Sequence, residues 1–410
     1  MVRRSILIVA PCLPLPADFG GAIRTFHLAR ELARHHDVKL VAPATRSERG
    51  FVQQLGEICD VIAVPSRTSV RQPAGLSKRT AQLLSIASPN SFLEAWTWQP
   101  QLQQVIDRLF LTRRVDLVQY EFAQMAIHRP SRPCPSVIDA HNIEHGLLDR
   151  VARTHSASIA SHLKRTEARK VRRLERRLWA SVTGCVATSK RDADVIARHT
   201  SARPLVVPNG VDTAAFARSR FVRPRPRHVV FTGVMRHQPN VDGVHWYLEQ
   251  VHPLVLRAIP DATVSIVGGD PPASITRLAS RSVEVTGRVD DVRPYLHEAS
   301  VAIVPLLSGG GTRLKIIEAF AAGVPVVSTP IGAEGLDTTD GVDLFIGRDA
   351  PEFAARVASL IADEPTARRI AATALARAVS QFDWSLVARK LEEAHELAYE
   401  TFRVATGAPD

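Results

Sequence analysis

Long apolar runs are missing from this chain of 410 residues. No segment approaches the roughly 20 consecutive apolar residues that span a bilayer, which excludes an ordinary transmembrane helix. Cysteine is scarce: Cys12, Cys59, Cys134 and Cys185 stand far apart with no Cys-x-x-Cys pair. Neither a disulfide framework nor a zinc knuckle is therefore expected, and the thiols read as reduced groups of a cytoplasmic protein. Aromatic residues make up 6% of the chain, and no recognition motif accompanies them; a nucleic-acid-binding protein would need such platforms for stacking, so no nucleic acid is expected as a partner. Gly-x-Gly-x-x-Gly is absent, which counts against a dinucleotide-dependent dehydrogenase. At the start, Arg3 and Arg4 precede the apolar residues 5–10, but Pro11, Pro14 and Pro16 end that run too early for an export signal.

Acidic residues are in deficit, since 52 Lys and Arg against 41 Asp and Glu leave a net charge of +11. Such an excess favours an anionic partner: a phosphorylated small molecule, a phospholipid headgroup or nucleic acid. The basic residues are concentrated. Lys164, Arg165, Arg169, Lys170, Arg172, Arg173, Arg176 and Arg177 share one predicted helix, opposed only by Glu167 and Glu175. Its narrow apolar stripe of Val171, Leu174 and Leu178 beside that charge suits an anionic membrane surface. A solvated basic face above a normal core stripe fits the same residues equally.

What the chain does have is alternation. Short β-branched runs at residues 5–10, 38–42, 61–64, 117–120, 136–139 and 184–188 are separated by helical patterns, the first at residues 22–34 with Phe26, Ala29 and Ala33 inward. Residues 223–227, Arg-Pro-Arg-Pro-Arg, read as a stiff linker. A second series comes after it, with strands at 228–232, 262–267, 282–286, 301–305, 325–328 and 343–346, and helices near 241–258, 313–322 and 351–363. Alternating β and α elements imply parallel, doubly wound sheets, and the length exceeds one hydrophobic core. The expected fold is α/β: two Rossmann-like domains, 1–208 and 209–383, facing each other across a cleft, with a helix in 384–410 packing back on the first.

The strongest local signal is Ser308-Gly-Gly-Gly-Thr-Arg-Leu-Lys-Ile-Ile-Glu-Ala-Phe-Ala-Ala-Gly323. Gly309, Gly310, Gly311 and Thr312 leave amide N–H groups open between a buried strand and a helix, a cradle for a diphosphate. Lys315 and Glu318 stand three apart on one helical face, a cation for phosphate and a carboxylate for ribose hydroxyls. An ordinary strand–turn–helix with a surface ion pair fits those residues as well. Gly20 and Gly21 let the first turn approach a ligand closely, or simply shape a tight turn. His141 comes after a strand, among Asp139, Asn142, Glu144 and His145, where the carboxyl edge of a sheet would carry it into the cleft.

Residues 318–327, Glu-Ala-Phe-Ala-Ala-Gly-Val-Pro-Val-Val, resemble the second half of the nucleotide-binding motif of family 4 retaining glycosyltransferases, the glycosyl transferases group 1 of GT-B fold. The first Glu of that family's Glu-x7-Glu pair is replaced here by Gly310. Gly20-Gly21 with Arg24, Asp139-Ala-His-Asn-Ile-Glu144, Thr188-Ser-Lys-Arg-Asp192, Val207-Pro-Asn-Gly-Val-Asp212 and Thr286-Gly-Arg-Val-Asp290 stand in the family's order, so the resemblance spans nearly the whole chain.

The resemblance implies a hexosyl transfer from a nucleotide-diphosphate sugar to a hydroxyl acceptor, lipid-linked or a polysaccharide precursor, with retention and without a metal or other cofactor. No Asp-x-Asp stands where it would hold a divalent cation beside a nucleotide. The first domain becomes the acceptor side, with Arg24, Asn142 and Glu144, and the second the donor side. His141 is implied to contact the donor sugar. The family's Arg and Lys, aligned on Gly233, fall at Val234 and Asn240; Arg236, Arg313 and Lys315 are the cations expected to neutralise the leaving diphosphate instead. Gly20, Gly21, Gly309, Gly310, Gly311, Thr312, Arg313, Glu318 and Arg288 complete the nucleotide-sugar set. Two rivals are an epimerase or hydrolase using the same nucleotide site and, less compatible with the composition, a basic nucleic-acid-binding protein. A cytoplasmic protein is expected, peripheral on the inner membrane face if the basic helix meets lipid.

Overall fold

The computed structural model describes residues 2–66, 85–86, 88–154, 159–200, 202–217 and 225–407. The chain divides into two units, one formed by Met1–Pro208 with Val387–Asp410 and the other by Asn209–Leu386. Contiguous rather than alternating β-branched residues make strands that must be covered on both faces. In the first unit these are β1 (Ser5–Val9), β2 (Asp37–Ala44), β3 (Asp60–Pro65), β4 (Leu117–Glu121), β5 (Ser136–Ala140), β6 (Gly184–Ala187) and β7 (Leu205–Val206). Every residue of β1, β4 and β5 is buried. All neighbours pair parallel, in the order β3-β2-β1-β4-β5-β6-β7.

The second unit repeats the design with β8 (His228–Thr232), β9 (Thr263–Val267), β10 (Val283–Gly287), β11 (Val301–Val304), β12 (Val326–Ser328) and β13 (Phe345–Ile346), in the parallel order β10-β9-β8-β11-β12-β13. Strand order reverses between β1 and β4 in one sheet and between β8 and β11 in the other. Ligands of open α/β sheets bind at the carboxyl ends of the strands flanking such a reversal. Both units are doubly wound Rossmann-like sheets, the GT-B class of fold.

Four helices bear on the functional side chains: α1 (Gly20–Leu32), α2 (Ile159–Trp179), α3 (Leu314–Ala321) and α4 (Trp384–Thr406). Helix α1 turns Ala22, Thr25, Leu28, Ala29 and Leu32 into the core. The expected inward residues Phe26 and Ala33 are only half-buried, because they flank the buried stripe, which runs through Ala22, Thr25, Leu28, Ala29 and Leu32. In α2 the apolar stripe Val171, Leu174 and Leu178 is at most 3% exposed, and Leu174 and Leu178 share a core with Val118 and Ile138. That stripe is core, so it is not available to lipid; the basic face is what α2 offers to solvent.

The single helix expected over 241–258 is interrupted. Residues Gln238–Trp246 are α-helical, a π turn occupies Tyr247–Val251, and His252–Ala258 resumes the helix. Pro253 explains the break, since it has no N–H to give the preceding turn. Of the linker at 223–227, residues 223 and 224 lie outside the described residues. From Val387 onward α4 belongs to the first unit, where Ala398 packs on Gly184 of β6 and Arg4 pairs with Glu396. Cys12, Cys59, Cys134 and Cys185 are not disulfide-bonded. Among the described residues, no helix is long and apolar enough to cross a membrane.

One consequence concerns acid. His252 is 3% exposed, and burial holds it down to about 4, whereas the unfolded chain titrates near the usual ~6.5. Between those values the unfolded state binds more protons, so stability is present above about pH 6.5 and drains away toward pH 4. His252→Gln should shrink that loss, read as urea midpoints at about pH 7 and about pH 4.5; an unchanged pH dependence would assign the acid sensitivity elsewhere.

Candidate functional site

In the first unit the chemistry gathers where β1, β4 and β5 end. Glu121, the last residue of β4, stands in register with Asp139 of β5. Both are fully buried. Two adjacent buried carboxylates repel, and each has its own counter-group. Arg24, on the first turns of α1, grips Asp139 with Nε at 2.8 Å and Nη2 at 2.9 Å, and donates onward to the carbonyls of Pro208 at 2.7 Å and Val207 at 3.0 Å. Glu121 accepts from His141 Nε2 and Thr25 Oγ1, both at 2.8 Å, and from the Gln119 amide. Burial alone would push the Glu121 carboxyl up, but these hydrogen bonds, that of His141 foremost, hold it below the usual range.

The His141 ring lies against Phe122, with centroids 3.9 Å apart. Phe122 has φ of 68°, a conformation costly for a residue with a side chain, by about 1 to 3 kcal/mol. A Cβ on Gly21 would come within 2.6 Å of the Phe122 ring and 3.2 Å of His141 Nδ1. Glycine there is therefore what brings the start of α1 against the histidine. The N-terminus of α1 carries no side-chain cap. Glu121, Asp139 and His141 also place three metal-type ligand atoms within 4.8 Å of one another. Arg24 already occupies both oxygens of Asp139, and a cation would have to share that space with a guanidinium, so the donor set fits a hydrogen-bonded network better than a metal.

Nearby, Glu175 of α2 accepts from the backbone N–H of Glu144 at 2.8 Å and of His145 at 3.1 Å, capping the helix Glu144–Thr154. Glu144 is raised to about 7, first by burial and then by Glu175, while Asn142 hydrogen bonds to it.

In the second unit β11 leads through Gly309–Thr312 into α3. Gly309 has φ of 128°, a region that only glycine enters freely, and the N-terminus of α3 has no side-chain cap. The Thr312 hydroxyl receives the Asn209 amide at 2.8 Å, which ties the turn to the first residue of the unit. Lys315 reaches back to the end of β8: its ammonium lies 4.1 Å from the Phe231 ring centroid and donates to Asn240 Oδ1 at 2.9 Å. Burial, with Arg313 adding repulsion, lowers Lys315 to about 7. Burial raises Glu318, one turn along, to about 7. The site thus holds a weakened cation and a weakened anion under an open helix end.

Not every expected residue joins these groups. Gly20, Gly21 and His141 meet at the first switch point, and Gly309, Gly310, Gly311, Thr312, Lys315 and Glu318 gather at the second. Arg24, expected as an acceptor contact, is 1% exposed with its guanidinium on Asp139 and the carbonyls of Val207 and Pro208, the position of a buried brace. Arg313 turns Nη1 onto the carbonyls of Gly310 and Gly311 and so clasps the turn. Arg236 is exposed in the turn after β8. Arg288 is exposed after β10, the edge strand, two strands removed from β8. Of the basic residues of α2, Lys170 is held by the carbonyls of Ser85 and Ser88, Arg172 by Asp149 and Arg177 by Glu94; Arg165, Arg169, Arg173 and Arg176 are exposed.

Glu121, Thr25 and Phe122 are neighbours of the His141 group that the sequence pattern does not single out. For Glu121 the one signal is its pairing with Gln119, two polar residues two apart in a buried strand, which places both on one face of the sheet.

A family model described as Glycosyltransferase Family 4 matches residues 20–215, and one described as Glycosyl transferases group 1 matches residues 226–363. A phosphatidyl-myo-inositol mannosyltransferase of Mycobacterium tuberculosis is 27% identical over 293 residues, 68% of this chain and 75% of that protein. An uncharacterised 44.6 kDa protein in the cps region of Klebsiella pneumoniae is 30% identical over 140 residues, 32% of this chain; the match spans only 36% of that relative's length. Among solved structures, the Anabaena HepE protein in complex with UDP-glucose superimposes with a TM-score of 0.65 at 16% identity, covering 95% of this chain and 99% of the other.

The geometry separates a brace from a substrate contact at Arg24. Arg24→Ala should destabilise the first unit by about 3 to 5 kcal/mol, because it leaves the buried Asp139 charge without its partner. Urea unfolding followed by tryptophan fluorescence reads this; unchanged stability would return Arg24 to the role of a ligand contact.

Proposed function

Because this chain belongs to the family 4 glycosyltransferases, we propose that it moves a hexosyl unit from a nucleoside-diphosphate sugar to a hydroxyl acceptor with retention of anomeric configuration. The observation that carries this reading is Lys315 and Glu318 set behind the uncapped N-terminus of α3 and the Gly309–Thr312 turn. A diphosphate takes the amides and the ammonium, and the Glu318 carboxylate accepts from the ribose hydroxyls. UDP-glucose in the HepE structure is a donor of this class.

In the reaction the bond from the anomeric carbon to the diphosphate oxygen breaks, and a bond from that carbon to the acceptor oxygen forms on the same face. The acceptor proton passes to the departing phosphate. Positive charge grows on the sugar and negative charge on the leaving oxygens, so a cation and amide dipoles fixed beforehand lower the barrier without a metal. Lys315 is the residue assigned to the leaving group, and His141 to the donor sugar beside the reacting carbon. The acceptor is a lipid-linked or polysaccharide-precursor hydroxyl, a choice supported by the lipid named for the mannosyltransferase relative. The exposed arginines of α2 would hold the protein peripherally at an anionic membrane by charge alone.

A thermal-shift panel of UDP, GDP, ADP and TDP, each with its sugars, selects the nucleotide. With the one selected, Glu318→Ala should weaken binding by about 1 to 3 kcal/mol; unchanged affinity by calorimetry would remove Glu318 from the site. Lys315 supplies a second readout. Its value of about 7 rises when a diphosphate sits beside it, so binding at about pH 8 should take up protons and weaken as pH climbs further. Calorimetry in two buffers of different ionisation enthalpy should show that uptake for the wild type and lose it in Lys315→Met. Heats independent of buffer in the wild type would contradict the assignment.

For the membrane, neutralising Arg165, Arg169, Arg173 and Arg176 together should abolish sedimentation with vesicles rich in phosphatidylglycerol, and a wild-type protein that ignores such vesicles would end the idea.

A further inference from the structure

Which nitrogen of His141 is turned to the substrate depends on the buried groups around the ring. Glu121 is fully buried, with Thr25, Gln119 and His141 all directed at its two oxygens. An ionised carboxylate only accepts, so the hydrogen of the His141–Glu121 pair resides on Nε2. The neutral ring then carries its lone pair on Nδ1. Nδ1 is buried, makes no hydrogen bond among the described residues, and lies against the Gly21 turn.

The chain of contacts continues away from the site. Gln119 donates its amide to Glu121, and its carbonyl oxygen accepts from His395 Nε2 at 2.8 Å. His395 lies on α4, 2% exposed, and burial pushes it down to about 3, so it is a neutral N–H donor. The orientation of Gln119 is thereby fixed from both ends: its oxygen is claimed by one histidine and its amide by the carboxylate.

We propose that Glu121 is the positioning residue of the reaction centre, held through Gln119 by His395 of the C-terminal helix, and that it presents Nδ1 of His141 to the donor sugar. This rests on the reading of His141 above. In that arrangement Nε2 is committed to Glu121 and Nδ1 is an acceptor for a sugar hydroxyl.

Two measurements test it. With 15N-labelled histidine, the wild type should show a pyridine-like nitrogen at Nδ1 and a pyrrole-like one at Nε2 of His141; the opposite tautomer would overturn the proposal whether or not His141 takes part in transfer. Glu121→Gln should redistribute that proton and lower kcat by about 100-fold, the scale of a displacement of order ~1 Å at a reacting group, with affinity for the nucleoside diphosphate unchanged and the pH profile of kcat shifted. If Glu121→Gln leaves both tautomer and kcat as they were while His141→Ala abolishes transfer, the positioning role fails and the reaction-centre reading stands. If His141→Ala transfers normally, that reading fails instead.

A pair of variants covers the case in which Glu121→Gln does not fold. His395→Leu removes the donor to Gln119 and should lower kcat and disturb the His141 nitrogen signals. His395→Gln keeps an N–H at that place and should restore both. Equal signals and equal kcat in the two variants and the wild type would overturn the proposal.

Discussion

Two carboxylates side by side in a dry sheet set the terms for the whole carboxyl edge of the first unit. Glu121 and Asp139 are register partners on neighbouring strands, where like charges in low dielectric disfavour each other strongly. Each is answered by a different basic group, and the two answers differ in kind. Arg24 is permanently charged, planar and able to bridge Asp139 to two backbone carbonyls, so it locks α1 and the end of the β7 segment to the sheet. The imidazole of His141 gives one nitrogen to Glu121 and keeps the other, Nδ1, without a hydrogen bond among the described residues. The pair thus divides into a half wholly committed to the fold and a half with one polar atom to spare.

The second unit meets a related problem with the signs mixed. Lys315 and Glu318 share a helix face and lie in surroundings that weaken the charge of both. Asn240 and the Phe231 ring receive the ammonium, yet neither carries the negative charge it would prefer. On the proposed reading, a ligand bearing phosphates would complete this environment rather than disturb it, as in a site whose charges are arranged beforehand.

How far the sequence discloses this depends on the kind of residue involved. The alternation of β-branched runs with helical patterns is enough for both sheets, because strands covered on two faces have a composition that little else imitates. The stretch from Gly309 to Glu318 is visible because its chemistry is local, lying within one turn and one helix. Arg24 resists assignment for the opposite reason: an arginine's role depends on which acceptor lies within reach, and Asp139 is 115 positions away from it. Glu121 stays hidden because His395, which steadies its neighbour Gln119, is brought there only by tertiary packing. The break at Tyr247–Val251 is a local matter that Pro253 announces, and the helical periodicity around it masks the announcement.

The C-terminal helix also has a temporal meaning. The unit that carries His141 is discontinuous: its polar interior is complete only when Val387 and the residues beyond it have been made, whereas Asn209–Leu386 is one uninterrupted stretch. At about 5 to 20 residues per second, synthesis leaves the first sheet without its last helix for roughly 10 to 40 seconds. During that interval Gln119 and the flank of β6 are uncovered in the nascent chain. The middle of the polypeptide is therefore free to mature before its beginning, and the earlier-born sheet is the one that needs guarding on the ribosome.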